Sequence, residues 1–327
     1  MTTATMAPNG PVTGTPVVAG PPAMSLRGLT KRYGARTAVD GLTIDVPAGV
    51  VAGFVGPNGA GKTTTMAMLL GLATPTEGDG TVLGQPLADP GAYLGRVGAL
   101  IEGPAFYPAL SGARNLAVLA TAGGHDLTQV PRLLDLVGLG ARADDAVRRY
   151  SFGMKQRLGI ASALLGDPDL LILDEPINGL DPAGVHEMRG LIGRLASGER
   201  TVLVSSHVLT ELEQVCDWLI VIDGGRLVFQ GPAEELLDRT GTTLVVTPER
   251  AVDVERLRGL LAAAGHEIAA DGPADEVLVA ADGADHRGLG AAINRAAAAN
   301  GIVLAELRIA RTSLEDRYLT MVQGGDR

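Results

Sequence analysis

One loop constrains this chain more than any other stretch: Gly56, Pro57, Asn58, Gly59, Ala60, Gly61, Lys62 and Thr63, in that order. Residues 50–55 before it, Val-Val-Ala-Gly-Phe-Val, form the short apolar run of a buried parallel strand. Residues 64–70 after it meet no breaker until Gly71 and read as the first turns of a helix. Strand, glycine-rich turn and helix are the context in which G-x-x-x-x-G-K-[ST] counts as a phosphate-binding loop rather than a plain Gly-rich connection. Glycines at 56, 59 and 61 permit backbone angles that turn successive N–H groups inward, towards a polyanion at the positive end of the helix. Lys62 is placed to reach the β- and γ-phosphates, and the Thr63 hydroxyl to bind Mg²⁺. The loop predicts a site for a nucleoside triphosphate.

Composition then excludes several other classes. With 327 residues the chain has room for two domains, and 46% hydrophobic with 20% charged residues describes an ordinary globular protein. Aromatics are only 3%, so Leu, Val, Ile and Ala must build the core. A net charge of −10 argues against a general nucleic-acid binder. The single cysteine, Cys216, rules out an internal disulfide and reads as a small core residue. No apolar run approaches the roughly 18 to 20 residues that cross a bilayer. Residues 1–23, rich in Thr, Pro, Gly and Ala, have neither the basic start nor the apolar centre of a secretory signal, and read as a disordered tail. The expectation is a cytoplasmic protein whose link to any membrane runs through a partner.

Along the chain, residues 25–33 and 42–46 read as strands, and the P-loop helix is followed by Gly- and Pro-rich turns up to a strand at 97–101. Residues 111–165 carry a helical pattern, broken at Gly123 and Gly124. Apolar runs at 170–173 and 201–205 have the look of central parallel strands. A helix over 208–216 leads to a strand at 218–222, and Gly224-Gly225 turns it into 226–229. After Gly231-Pro232 the pattern changes. Segments at 242–246, 252–264, 267–270, 276–280, 286–299 and 302–309 read as β-α-β-β-α-β, a ferredoxin-like order. Thr312, Ser313, Leu314 and Glu315 have the form of a capping box that starts a last helix.

Three further places carry chemistry. Asp174 and Glu175 follow the apolar run 170–173, which puts both acids at a sheet rim, where α/β folds hold their ligands. Beside a P-loop, the first suits Mg²⁺ and the second suits a base for water attacking the γ-phosphate. A solvated acidic pair is the bland alternative. His207 ends a second strand on that rim, where an imidazole can donate to the γ-phosphate; alone it would read as a surface histidine. Ser151, in Ser151-Phe152-Gly153-Met154-Lys155, is a candidate N-cap that makes a second anion site at a helix start. Two phosphate sites either serve one nucleotide or are shared with another copy.

With these motifs in this order, the chain resembles the ATP-binding subunit of an ABC transporter over residues 25 to about 235, roughly two thirds of its length. The resemblance implies an α/β P-loop NTPase of the ABC type at 24–236, with a helical subdomain at about 97–165. A small α+β C-terminal domain would follow at 240–323. It implies ATP and Mg²⁺ as ligands, with Tyr33 stacking on adenine and Gly56, Pro57, Asn58, Gly59, Ala60, Gly61, Lys62, Thr63 and Thr64 holding the phosphates. Thr63 and Asp174 would bind the metal, and Glu175 and His207 would be catalytic. Ser151 and Gly153 of the signature motif and Asp181 of the D-loop would meet the nucleotide of a second copy. The signature departs from the usual pattern at Phe152 and Met154. Glu102 stands where the family usually has glutamine, near Mg²⁺ and the attacking water. That variant, and the C-terminal extension, resemble bacitracin-type, lantibiotic-immunity and drug-export subunits. The implied partners are a second copy and a separate membrane-spanning permease, docked beside Glu102 with Phe106 and Tyr107 as anchors, and no nucleic acid. The implied work is export of a drug, antibiotic or peptide. Two other readings stay open at this point: a soluble ABC-type ATPase outside transport, and a regulatory ATPase whose C-terminal domain senses a small ligand.

Overall fold

The computed structural model of the chain describes residues 21–196, 200–208, 212, 214–238, 242–269, 273–281 and 285–311. Two expectations therefore lie outside the described residues, the tail up to residue 20 and the capping box at 312–315, and the helix over 208–216 lies partly outside them, with residue 212 helical and 214–215 in a turn. The chain divides into two compact units, residues 1–235 and 236–327.

The first unit is built on a six-stranded sheet. Its order is β10 (Arg226–Pro232), β9 (Trp218–Asp223), β3 (Val51–Val55), β8 (Thr201–Ser206), β7 (Leu170–Leu173) and β6 (Val97–Leu100). All neighbours are parallel except β10, which pairs antiparallel with β9 at the edge. Every residue of β3, β7 and β8 is buried, as strands covered on both faces must be. Their register aligns the strand ends. Val55 pairs with Ser206 and Leu173 with Val204, so β3, β8 and β7 finish side by side on one rim.

A second, antiparallel sheet runs β2 (Arg36–Val46), β1 (Met24–Tyr33), β4 (Glu77–Val82) and β5 (Gln85–Pro86). Both sheets pack on α1 (Lys62–Leu69). Met24, Leu26 and Ile44 share one core with Phe54, Met66, Ile172 and Ile220. Each such side chain contributes about 1.5–3 kcal/mol by leaving water. Strand β4 lies where the sequence reads as turns. Its glycines are the reason for both facts: they hide the strand signal, and β1 leaves no room for anything larger. A Cβ on Gly80 would lie 2.5 Å from the Ser25 carbonyl oxygen, and one on Gly78 only 2.3 Å from that of Gly28.

Between β6 and β7 come α2 (Gly112–Gly123), α3 (Gln129–Leu136) and α4 (Phe152–Ala163), joined by short 3₁₀ turns. Asn115 on α2 is buried and pins the loop before its helix, accepting from Tyr107 N at 2.8 Å and donating to Tyr107 O at 3.1 Å. Tyr107 itself is 64% exposed. Helix α5 (Pro182–Leu195), which the sequence reading passes over, starts where Asp181 accepts from Gly184 N at 2.9 Å, with Pro182 in its first turn. A short helix, α6 (Ala233–Asp238), follows β10.

The second unit has a three-stranded antiparallel sheet in the order β12 (Val277–Ala280), β11 (Thr242–Pro248), β13 (Leu304–Arg311). Helices α7 (Val254–Ala263) and α8 (His286–Ala299) cover one face, where Leu244 and Val246 meet Leu257, Leu261, Ile293 and Ala297. The strand expected at 267–270 is reduced to an isolated bridge, Ile268 with Val279, beside β12. In the loop before α7, burial of Asp253 works against its charge, but bonds from Arg250 and Arg256 outweigh that and hold its carboxyl below the usual range.

Candidate functional site

The site gathers at the rim where β3, β8 and β7 end. After Val55 the chain turns through the glycine-rich loop into α1, whose N-cap Gly61 has φ 105°. A Cβ there would lie 2.5 Å from the Ala38 carbonyl oxygen, and one on Gly56 would lie 2.3 Å from that of Ile222. Side chains are thus excluded at both ends of the loop by backbone already in place. Lys62, only 6% exposed, donates to the carbonyl oxygens of Gly56 at 2.7 Å and Pro57 at 3.3 Å, and its Nζ lies 3.3 Å from Glu175 Oε1.

From the next strand ends come the acids and the imidazole. Thr63 Oγ1 donates to Asp174 Oδ2 at 2.8 Å, and Ser205 Oγ donates to Asp174 Oδ1 at 2.5 Å. The same Ser205 oxygen accepts from Glu175 N at 2.8 Å. Glu175 takes a left-handed conformation, φ 48°, which turns its carboxylate back over the loop. There Oε2 lies 2.7 Å from His207 Nδ1. The carboxylate is thus held on one oxygen by an ammonium and on the other by an imidazole.

A pocket of about 410 Å³ opens over this cluster, lined by Tyr33, Arg36, Asn58, Lys62, Glu175 and Asn178 among others. Gly59, Gly61, Thr63 and Thr64 complete its loop side. Tyr33 and Arg36 arrive together because they are cross-strand partners at the tip of the β1–β2 hairpin. Tyr33 is 53% exposed, and Lys31 Nζ lies 4.9 Å from its ring centroid. The hard-oxygen pair Thr63 and Asp174 fits Mg²⁺, an ion that is held by one or two protein oxygens plus phosphates and water. Among the described residues no cluster of three or more His, Cys, Asp or Glu side chains could hold a metal by itself.

Several expected residues do not line this pocket. Ser151 caps α4, accepting from Met154 N at 3.2 Å, and is exposed there with Phe152. Gly153 lies against Leu180, and Gly179, φ 78°, lies against the Phe152 ring. Asp181 caps α5. Glu102, φ 58°, is exposed at a tight turn with Gly103 and does not border the pocket. In the other direction, Arg36, Asn178 and Ser205 belong to the site without having been expected. Ser205 carried a signal, since it alternates with Val204 towards the rim that ends in His207.

Rim, loop and acids together define a P-loop nucleotide-hydrolase site on a parallel sheet. The family model described as "ABC transporter" matches residues 39–178. The bacitracin transport ATP-binding protein BcrA of Bacillus licheniformis is 38% identical over 310 residues, 91% of this chain and 96% of the relative. The lantibiotic transport ATP-binding protein SrtF of Streptococcus pyogenes is 40% identical over 207 residues, 63% of this chain and 90% of the relative. A solved ATP-binding subunit of an ABC transporter superposes with TM-score 0.59 at 30% identity, over 66% of this chain and 92% of that one. An ATP-binding cassette in its ADP conformation shares the fold, with TM-score 0.60 at 22% identity over 65% and 92%. The chain belongs to the ABC transporter family: it is an ATP-binding subunit of a transporter, and ATP hydrolysis is its activity.

Proposed function

We propose that this subunit powers export of an antibiotic- or peptide-class substrate through a separate membrane-spanning permease, working as a homodimer at the inner face of the cell membrane. Relatives named for bacitracin and lantibiotic transport support the substrate class. A separate permease accords with the described residues, where no helix is long and apolar enough to cross a membrane. Residues 24–236 act as the ATPase domain and 240–323 as an accessory domain. Half-buried Phe106 and exposed Tyr107, on the loop fixed by Asn115, are the anchors for the permease.

The observation that carries the catalytic reading is the Glu175 carboxylate, 3.3 Å from Lys62 Nζ and 2.7 Å from His207 Nδ1. The loop N–H groups and Lys62 hold the β- and γ-phosphates, and Tyr33 stacks on the base. Mg²⁺, held by Thr63 and Asp174, neutralises phosphate charge when bound. Glu175 Oε1, released when Lys62 turns to the phosphate, takes the proton from the attacking water, and His207 fixes the carboxylate through Oε2 and donates to the γ-phosphate. Ser151, Gly153 and Asp181 close the site of the other copy, a role supported by the exposure of Ser151 and Asp181 away from their own chain's pocket. Purifying a tagged chain from membranes tests the transport reading. A polytopic membrane protein should come with it in fixed proportion, and recovery of the chain alone, in the soluble fraction only, contradicts it.

A further inference from the structure

Strand β13 is an edge of the C-terminal sheet and bonds only to β11 among the described residues. Edges of this kind are usually shortened, bulged or covered, because their free N–H and C=O groups pair with any strand that reaches them. This one spans eight residues, contains no proline and is irregular only between Leu304 and Glu306, where Ala305 has no partner on β11. Its helix-side face is also incompletely covered. Leu307 and Ile309, the cross-strand partners of Val246 and Leu244, floor a groove of about 900 Å³ between α8 and β13, and Ile309 is 51% exposed.

The strand's own sequence says what fits there. We propose that β13 pairs antiparallel with β13 of a second copy, joining two C-terminal sheets into one of six strands without any need for ATP. If both helical layers lie on one face, the two-fold axis is perpendicular to the sheet and must pass midway between one residue and its own copy. Four centres are near the middle of the strand, and centring on Ile309 sets Arg308 opposite Ala310 and Leu307 opposite Arg311, so no charge meets its opposite. Centring on Glu306 or on Arg308 sets like charges directly opposite, which destabilises a pair. Centring on Leu307 sets Glu306 of one copy opposite Arg308 of the other, twice. Arg308 is already turned towards acids, with Glu306 and Glu276 each at 3.2 Å. A second copy is therefore the occupant that this charge pattern selects. This interface is separate from the nucleotide-dependent one proposed above and stands whether or not that one does.

Cysteine cross-linking of the full chain, nucleotide-free and with metal chelated, reads the register directly. Directly opposite Cβ atoms in an antiparallel pair approach about 4.5–5.5 Å, close to disulfide reach. Leu307→Cys should give a disulfide-linked dimer under mild oxidation. Ile309→Cys, whose two copies stand about 13 Å apart along the strand in this register, should not. The native Cys216 does not compete, because it is buried, and burial, with Asp217 beside it, pushes its thiol well above the ordinary range. In the Leu307→Cys background, Glu306→Arg alone and Arg308→Glu alone should each lose the cross-link. Mixing these two chains should restore it, since every opposed pair is then Arg with Glu. Variants that melt with the parent but give no Leu307→Cys dimer overturn the proposal, as expected if the groove is covered by the chain's own residues 312–327 or by another protein. Equal cross-linking at 307 and 309, or no rescue in the mixture, overturns the register.

Discussion

Lys62 Nζ lies 3.3 Å from Oε1 of Glu175 while donating to the carbonyl oxygens of Gly56 and Pro57. The loop's cation is thus occupied by the group proposed as the base and by the loop's own backbone. In the proposed mechanism an arriving γ-phosphate takes Lys62 away from that carboxylate and leaves it with His207, 2.7 Å from its other oxygen. Binding the substrate and freeing the base become one event.

Ser205 is the joint between metal ligand and base, donating to Asp174 and accepting from the backbone of Glu175. Ser205→Ala leaves that buried N–H without its partner, at a cost of about 1–3 kcal/mol. It also frees Glu175 to drift, and misplacement by an ångström lowers rates by up to roughly 100-fold. Steady-state kinetics should show kcat down roughly 10- to 100-fold with KM for ATP changed far less. A change confined to KM contradicts the positioning role.

Gly78 and Gly84 both sit at positive φ, 83° and 75°, so alanine strains either by about 1–2 kcal/mol. Only Gly78 has backbone in the way, 2.3 Å from a Cβ; around Gly84 there is nothing within 4 Å. Gly78→Ala should therefore cost a further 1–3 kcal/mol or so. At about 2–4 °C per kcal/mol for a unit of this size, its Tm should fall several degrees below that of Gly84→Ala. Equal melting of the two would show that β1 yields to the extra carbon.

The rim was legible because its chemistry is written in contiguous residues. Gly56 to Thr63 declare a phosphate loop, and Asp174, Glu175 and His207 each close an apolar run. Arg36 and Asn178 were not legible, since their parts depend on a hairpin tip and a turn that meet only in the fold, and Ser205, though its strand carried a signal, takes its part only beside the neighbouring strand of Asp174. Strand β4 was hidden for the opposite reason: close approach to β1 demands glycines at 78 and 80, and glycine reads as a turn. Asp181-Pro182, an N-cap followed by proline, is a helix-start signal for α5 that the sequence reading passed over. The usual family glutamine position, Glu102, was legible as a departure, but not that its left-handed turn leaves it exposed outside the pocket.

That exposure makes a prediction for Glu102→Gln. A carboxylate about 5 Å from a triphosphate would repel it by roughly 3 kcal/mol at an effective dielectric of about 20, and Mg²⁺ would reverse the sign. Held outside the pocket, Glu102 does neither in the isolated chain. Titrations should give the same ratio of ATP affinities with and without Mg²⁺ for the parent and the variant. A ratio that shrinks in the variant would place Glu102 at the metal.

Sharing of sites between copies is tested by mixing. Lys62→Ala disables a loop and Ser151→Arg disables a facing α4 start, so each alone spoils both sites of a homodimer. A mixture forms some dimers with one intact site. ATPase activity should rise above the sum of the two separate chains, and an additive result would count against the shared geometry.

The central claim is that Glu175 removes the proton from the attacking water, and Glu175→Gln tests it most directly. The amide keeps the size and the contact with His207 but has no carboxylate to accept a proton. Turnover measured at saturating ATP and Mg²⁺ should fall by roughly 10²–10⁴-fold, the worth of a general base, while ATP binding persists. With β13 pairing blocked by Glu306→Arg, ATP-dependent dimer should then accumulate on gel filtration. Hydrolysis within a few-fold of the parent, with no such dimer, would contradict the account.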